Sequence, residues 1–293
     1  MRQHITDEGR IEALIEALPY IQQYRGHTFV IKYGGAAMED EQQVDRLLRD
    51  IVFLEAVGIN PVVVHGGGKA INTKMRAAGI HPQFVNGLRV TGAESIHIVH
   101  ETLDQEINPR IVETLKKFGG KAQGISGKNV FTAVKLGPQE QDGESIDIGF
   151  VGEASKVTTQ EIEALVKKEI VPVISPLGAE EGGTVLNINA DVAAASLASS
   201  LKATKLLFVS DVPGIMRDPS VKESLIPSVT IEDIETLIEE EIIMGGMLPK
   251  VRSATNALKN GVGKVHFIGG HVAHGLLLEI FTNTGVGTEI TLT

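Results

Sequence analysis

Five short segments of this chain carry residue types suited to handling anionic groups. Lys32-Tyr33-Gly34-Gly35 follows the apolar run Phe29-Val30-Ile31, and His65-Gly66-Gly67-Gly68 follows Val62-Val63-Val64. Each run reads as a buried strand, and the helical pattern beyond each cluster puts the glycines at strand-to-helix turns, where backbone amides converge on an anion. Glycine permits close approach and positive φ, so two such turns on neighbouring strands can hold a phosphoryl group between them, with Lys32 adding charge. Farther on, Asn187-Ile188-Asn189-Ala190-Asp191 leads into an alanine-rich helix, and Ser210-Asp211-Val212-Pro213-Gly214 ends a strand. Gly245-Gly246-Met247-Leu248-Pro249-Lys250 then enters another helix, with its proline early in that helix. Strand carboxyl ends are where α/β folds bind ligands. Taken singly, Asn189 or Asp191 is as readily a helix cap, and Lys250 a surface lysine.

Neither G-x-x-x-x-G-K-[ST] nor G-x-G-x-x-G occurs, so a P-loop and a dinucleotide fingerprint are both excluded. His97 and His100 share a helix face beside Glu101 but in neither zinc-binding order, which favours packing or solvated histidines over zinc ligands. His65 reads as an orienter of its glycine turn. The chain has 293 residues, 42% hydrophobic, with 32 glycines, enough for a substantial α/β core. With 27 Lys+Arg against 37 Asp+Glu the net charge is −10, which disfavours nucleic acid and anionic membrane as partners and leaves a small molecule. There is no cysteine, so disulfides and thiolate chemistry are excluded. The start, Met1 to Arg10, is polar, and no apolar run is long enough to span a bilayer, so a cytoplasmic protein is expected.

The elements that must position these residues follow from periodicity. Ile11, Leu14, Ile15, Leu18 and Ile21 form one stripe of a helical arm over 8–24, with Pro19 expected to kink it. Such a stripe packs either on its own domain or on a neighbouring subunit. Strands are expected at 28–33, 61–65, 121–136, 146–151, 170–175, 205–209 and 264–268, and helices at 40–57, 68–78, 93–118, 159–168, 190–202, 230–242 and 250–260. The alternation implies a mainly parallel sheet covered on both faces. The glycine- and acid-rich stretch 178–183 reads as a hinge before a second α/β unit.

Together these features resemble the amino acid kinase family from about residue 26 to the end. The most specific piece, Asn86-Gly87-Leu88-Arg89-Val90-Thr91, is similar to the substrate segment of members that act on N-acetyl-L-glutamate. The resemblance implies an open αβα sandwich with a central, mainly parallel sheet and two lobes. Residues 26–183 would bind acetylglutamate and dimerise, 184–293 would bind ATP, and 1–25 would be an oligomerisation arm. It implies ATP- and Mg2+-dependent phosphorylation of the substrate's side-chain carboxylate, the second step of arginine biosynthesis. Lys32 and Lys250 would stabilise the transition state, oriented by Asp191. Gly34, Gly35, Gly66 and Gly67 would donate amides, Arg89 would clamp the α-carboxylate, and Asn187 and Asn189 would contact the substrate. Ser210, Asp211, Val212, Pro213, Gly214, Gly246 and Met247 would lie along the nucleotide. A carboxylate is already ionised at neutral pH, so this chemistry needs no general base.

The tail Gly270-His271-Val272-Ala273-His274, with Glu279 and Gly285-Val286-Gly287-Thr288, resembles the arginine-binding signature of the feedback-inhibited, hexameric branch. That resemblance implies L-arginine as inhibitor at His271, Glu279 and Gly287, and a trimer of dimers interlaced by the arm; the bland alternative makes the segment a final helix and edge strand with Glu279 solvated. A signalling protein of the PII type binds some such relatives and stays open as a partner. Two other functions remain: a kinase for another small carboxylate, separated by Arg89 with Asn86-Gly87, and a metabolite sensor without catalysis, which the presence of both lysines and Asp191 disfavours.

Overall fold

The computed structural model describes residues 6–38, 40–141 and 143–293, so the first five residues of the expected arm lie outside the described residues. Eight strands share one sheet, in the order Ser228–Thr230, Thr288–Thr291, Lys264–Gly269, Lys205–Ser210, Thr28–Tyr33, Asn60–His65, Val171–Ile174, Ala122–Ile125. The last six run parallel. Thr288–Thr291 runs antiparallel to Lys264–Gly269 and carries Ser228–Thr230 parallel to itself. Both expected halves therefore contribute four neighbouring strands to a single sheet, and they meet where Thr28–Tyr33 pairs with Lys205–Ser210. The chain builds one side of Thr28–Tyr33 before it returns to build the other. That strand pair is a topological switch point, and the crevice beyond its carboxyl ends is where such sheets bind ligands.

Alternation along the strands splits the core into two layers. Phe29, Ile31, Tyr33, Val63 and Val209 pack on one face, while Val30, Val62, Val64, Leu206 and Phe208 pack on the other. Strands buried on both faces read as continuous apolar runs, as Phe29-Val30-Ile31 and Val62-Val63-Val64 do, and each such side chain contributes about 2 kcal/mol on burial. The helix Ala190–Ser200 lies in the Val30 layer, where Ala193, Ala194 and Ala198 are fully buried. Its small side chains let it approach the sheet closely, which brings its first turn over the end of Thr28–Tyr33.

Three expectations change. The segment 93–118 is not one regular helix: Ala93–His100 and Asn108–Lys117 are α-helical, joined by a π-helical turn, Glu101–Ile107. Pro109 has no N–H to give and would clash with the carbonyl four residues back, and the wider turn ahead of it relieves both. The expected hinge is instead the end of strand Leu177–Ala179 and a hairpin turn, closed by Gly183 N–H donating to Glu180 O at 2.8 Å. That hairpin pairs with Val185–Ile188, and together with Phe131–Lys135 and Val151–Val157 it closes a small four-stranded barrel beside the main sheet. The strand expected at 146–151 is accordingly displaced to Val151–Val157, because its partners are barrel strands, Phe131–Lys135 antiparallel and Val185–Ile188 parallel, rather than the main sheet.

The arm is one helix, Asp7–Tyr24, with Pro19 inside it. Thr6 caps it by accepting from Gly9 N at 3.1 Å. Its stripe does not pack back on this chain: Ile11, Leu14 and Ile15 are 60, 61 and 63% exposed. Its end is anchored by Tyr24 edge-on to Phe29 and Tyr20 edge-on to Phe281.

Candidate active site

Strand alternation sends Lys32 to the same face as Val30, toward the start of helix Ala190–Ser200. There Asn189 caps the helix, its Oδ1 accepting from Asp191 N at 2.8 Å and Val192 N at 3.3 Å. The cap fixes Asp191 in the first turn. Lys32 Nζ lies 2.8 Å from Asp191 Oδ1, and Lys250 Nζ donates to Asp191 Oδ2 at 2.9 Å. Lys32 and Asp191 are 6% and 7% exposed, too deep for either charge to stand unpaired. Burial alone would raise the Asp191 carboxyl, but the two ammoniums hold it down at about 2. Burial also draws the Lys32 ammonium down, against the pull of Asp191. One carboxylate shared by two ammoniums leaves a net positive charge, which is an attraction for an anion.

The two glycine turns face each other beside this pair. Gly66 N donates to Tyr33 O at 2.6 Å. A Cβ on Gly66 would sit 3.3 Å from Gly34 Cα, and one on Gly34 would sit 3.0 Å from Lys32 Nζ, so a side chain at either position would crowd the turn or displace the lysine head. Gly35 has φ +74°, and Asp211 Oδ1 lies within 3.6 Å of the Cβ it lacks. Gly67 caps helix Gly68–Ala77 without a side chain, leaving the amides of the first turn for a ligand.

A cavity of about 440 Å³ is lined by Lys32, Gly35, Gly66, Gly67, Arg89, Asn187, Asn189 and Asp191. Arg89 is held from three sides. Its Nη1 donates to Asn72 Oδ1 at 2.5 Å, its Nη2 donates to Gly68 O at 3.0 Å, and its guanidinium lies 4.7 Å from the Phe84 ring centre. Burial lowers it to about 10, and no carboxylate pairs with it among the described residues. A buried, preoriented guanidinium of this kind suits a carboxylate ligand. Asn187 Nδ2 donates to Thr91 Oγ1 at 3.2 Å. Asn72 and Phe84 were not expected from sequence, because nothing in their local pattern marks them as partners of Arg89.

A second cavity of about 490 Å³ is lined by Asp211, Val212, Pro213, Gly214, Met244, Gly246, Met247 and Lys250, among others. Its walls are mainly apolar, its charged end is Lys250 and Asp211, and Asp211 borders both cavities. Lys32 faces the first, Lys250 the second, and Asp191 joins them. Of the residues expected along a nucleotide, only Ser210 stands apart: it is buried, with its hydroxyl turned to Val212 O at 3.4 Å. A third, more apolar cavity of about 360 Å³ lies behind the turns and shares Gly35 and Gly67 with the first.

The tail residues are brought together in part. Glu279 is not solvated: it is buried, with Oε1 2.7 Å from His266 Nδ1 and Oε2 accepting from Val286 N at 2.7 Å and Gly287 N at 3.0 Å. Burial would raise its carboxyl, but His266 and the two amides hold it below the usual range. Lys205 Nζ lies 2.9 Å from His266 Nε2 and 5.3 Å from the Tyr24 ring centre, so a polar chain runs from the arm to Glu279. His271, by contrast, is exposed beside Gly269, and no hydrogen bond or ion pair joins it to Glu279 or Gly287 among the described residues. Glu279 and Gly287 are thus joined directly, and His271 is not hydrogen-bonded to either among the described residues. Lys205 and His266 were missed from sequence: Lys205 opens the apolar strand Lys205–Ser210, and His266 interrupts Lys264–Gly269, an interruption that is the one signal available.

Residues 27–269 match the sequence profile of the amino acid kinase family. An acetylglutamate kinase of Akkermansia muciniphila is 51% identical over 279 residues, 94% of each chain. One from Methanocaldococcus jannaschii is 48% identical over 288 residues, 96% of each. Among solved structures, N-acetylglutamate synthase from Neisseria gonorrhoeae with coenzyme A and N-acetyl-glutamate superposes with a TM-score of 0.83 at 29% identity. That match covers 96% of this chain and 63% of the synthase; the same synthase with L-arginine gives 0.80. Carbamate kinase from Giardia lamblia bound to AMP-PNP, at 18% identity and a TM-score of 0.67, shares the fold.

Proposed function

This chain belongs to the amino acid kinase family, and from that premise we propose that it transfers the γ-phosphoryl group of ATP to the side-chain carboxylate of N-acetyl-L-glutamate. The product is N-acetyl-L-glutamyl 5-phosphate, the second intermediate of arginine biosynthesis. The observation that carries the reading is Asp191, which binds Lys32 at 2.8 Å and Lys250 at 2.9 Å where the two cavities meet. A carboxylate oxygen of the acceptor attacks the γ-phosphorus from the first cavity, the bond from γ-phosphorus to the bridging oxygen breaks, and ADP leaves into the second. The acceptor is already an anion, so no proton has to be moved. What the chain must supply is alignment and positive charge on the moving phosphoryl oxygens.

Lys32 and Lys250 supply that charge from opposite sides, and Asp191 holds both heads in place. Amides of the glycine turns supply the rest. Arg89 takes the α-carboxylate, fixing the acceptor so that its side chain points at Lys32, and Asn187 lines the same cavity. The apolar wall of Pro213, Ile215, Met244 and Met247 suits a purine, with Lys250 at the phosphate end. Mg2+ brought in on the phosphates would neutralise further charge, with Asp211 the carboxylate nearest both cavities; magnesium characteristically needs few protein ligands.

The regulatory reading is L-arginine as feedback inhibitor of a trimer of dimers joined through the arm. Support comes from the uncovered stripe of Ile11, Leu14 and Ile15, and from the tie between Tyr20 OH and Asn283 Oδ1 at 2.6 Å, which couples the arm to the segment between Glu279 and Gly287. No helix is long and apolar enough to cross a membrane among the described residues.

The test is an ATP-dependent assay with hydroxylamine trapping of the acyl phosphate, offering N-acetyl-L-glutamate, glutamate and aspartate with and without arginine. Hydroxamate from acetylglutamate alone, suppressed by arginine, is the expected result. Product without suppression would remove the regulatory reading, and product from another acid only would replace the acceptor.

A further inference from the structure

His65 is fully buried at the end of strand Asn60–His65, and every polar atom of its ring is engaged. Its Nδ1 lies 3.0 Å from Gly66 O, and its Nε2 lies 3.2 Å from Asn108 Nδ2. The same Asn108 nitrogen donates to Val173 O at 2.8 Å. A carbonyl only accepts and an amide nitrogen only donates, so one arrangement of protons satisfies all three contacts. Asn108 gives one hydrogen to Val173 O and the other to His65 Nε2, and His65 is neutral, with its proton on Nδ1 and donated to Gly66 O. Burial, which draws its pKa to about 4, keeps the ring neutral near pH 7.

Gly66 C=O belongs to the same planar trans peptide as Gly67 N–H, and in such a peptide the two groups point in opposite directions. Holding the carbonyl toward His65 turns the Gly67 N–H the other way. That N–H has no acceptor among the described residues, while Gly66 and Gly67 line the cavity that contains Lys32 and Asp191. The back of Gly67 is closed by the π-helical turn: a Cβ there would lie 2.7 Å from Leu103 Cδ2 and 2.8 Å from Ile107 Cδ1. The same turn delivers Asn108 to His65 as the first residue of helix Asn108–Lys117.

We propose that His65, braced by Asn108, is a positioning residue that locks the Gly66–Gly67 peptide so that the Gly67 amide is aimed at the oxygens of the transferring phosphoryl group. The inference rests on the phosphoryl-transfer reading and adds to it a group that touches no substrate. A peptide free to flip would offer a carbonyl where the reaction needs a donor.

Two substitutions separate the roles of the two ring nitrogens. In His65→Asn the side-chain amide reaches the position of Nδ1 and can still donate to Gly66 O; in His65→Gln it reaches the position of Nε2 and cannot. His65→Gln should lower kcat about 100-fold, the scale of one lost oxyanion donor, with each KM within about threefold of wild type. His65→Asn should keep kcat within about tenfold of wild type. Equal losses in both variants, or losses mainly in KM, would overturn the proposal. Should His65→Gln not fold, 15N NMR of the wild-type ring decides: a neutral Nδ1–H tautomer supports the relay, and an Nε2–H tautomer overturns it. That spectrum needs no substrate, so inactivity toward acetylglutamate would count against the functional reading and leave the relay to its own test.

Discussion

At Asp191 one carboxylate serves two ammoniums, and that ratio sets what substitution should do. Asp191→Asn leaves both lysine heads beside a neutral amide, so unfolding in urea at pH 7 should show a loss of about 3 kcal/mol together with lost turnover. The folded carboxyl is held at about 2, below its unfolded value, so its contribution is complete above about pH 4 and disappears as pH falls toward about 2. Wild type should therefore lose about 2 kcal/mol across that acid window that Asp191→Asn does not lose, measured by the same unfolding at each pH. Lys32→Ala should reduce kcat by about 100-fold or more while acetylglutamate KM changes far less; steady-state kinetics showing equal losses in both would remove the transition-state role. These residues were legible because a lysine ending an apolar strand and an aspartate one residue past a helix start are unusual in combination. Ser210 lines neither cavity, being buried at the end of its strand with its hydroxyl on Val212 O. Glu279 was readable as a residue of interest, but not as a buried one, since its two backbone donors come from a loop whose course no local pattern fixes.

Among the elements, strands and buried helices followed from sequence because their signals are local: apolar runs bounded by glycine, and alanines before a small-residue helix. The four-stranded barrel did not, since its strands are short, partly polar and paired between segments far apart in the chain: the pairing of Ala179 with Thr132 is not predictable from either segment alone. The π-helical turn was hidden because Glu101–Ile107 keeps a helical composition, and only Pro109 hints at the break. The loop after Glu279 depends on Gly287, where a Cβ would lie 1.9 Å from Phe267 O, a backbone atom that cannot rotate away. Gly287→Ala should therefore destabilise the fold by about 3 kcal/mol or more, seen as a lowered Tm, because overpacking against backbone has no side-chain escape. A Tm within a degree of wild type would show that the loop shifts freely.

For the whole molecule, the sheet joins the two expected halves into one body, and the arm extends a stripe of apolar side chains outward. Ile11, Leu14 and Ile15 lie too close together on one face to be scattered surface residues. On the proposed assembly, deleting residues 1–25 should yield dimers by sedimentation and weaken inhibition by arginine, leaving turnover in place; an unchanged hexamer would exclude interlacing through the arm. The central claim is that the acceptor's side-chain carboxylate is the nucleophile between Lys32 and Lys250. The most direct measurement is 31P NMR of the reaction with ATP and N-acetyl-L-glutamate carrying 18O in its side-chain carboxylate. The account predicts an acyl phosphate signal with the isotope shift of a bridging 18O and a matching amount of ADP. ADP accompanied only by unlabelled inorganic phosphate would contradict it.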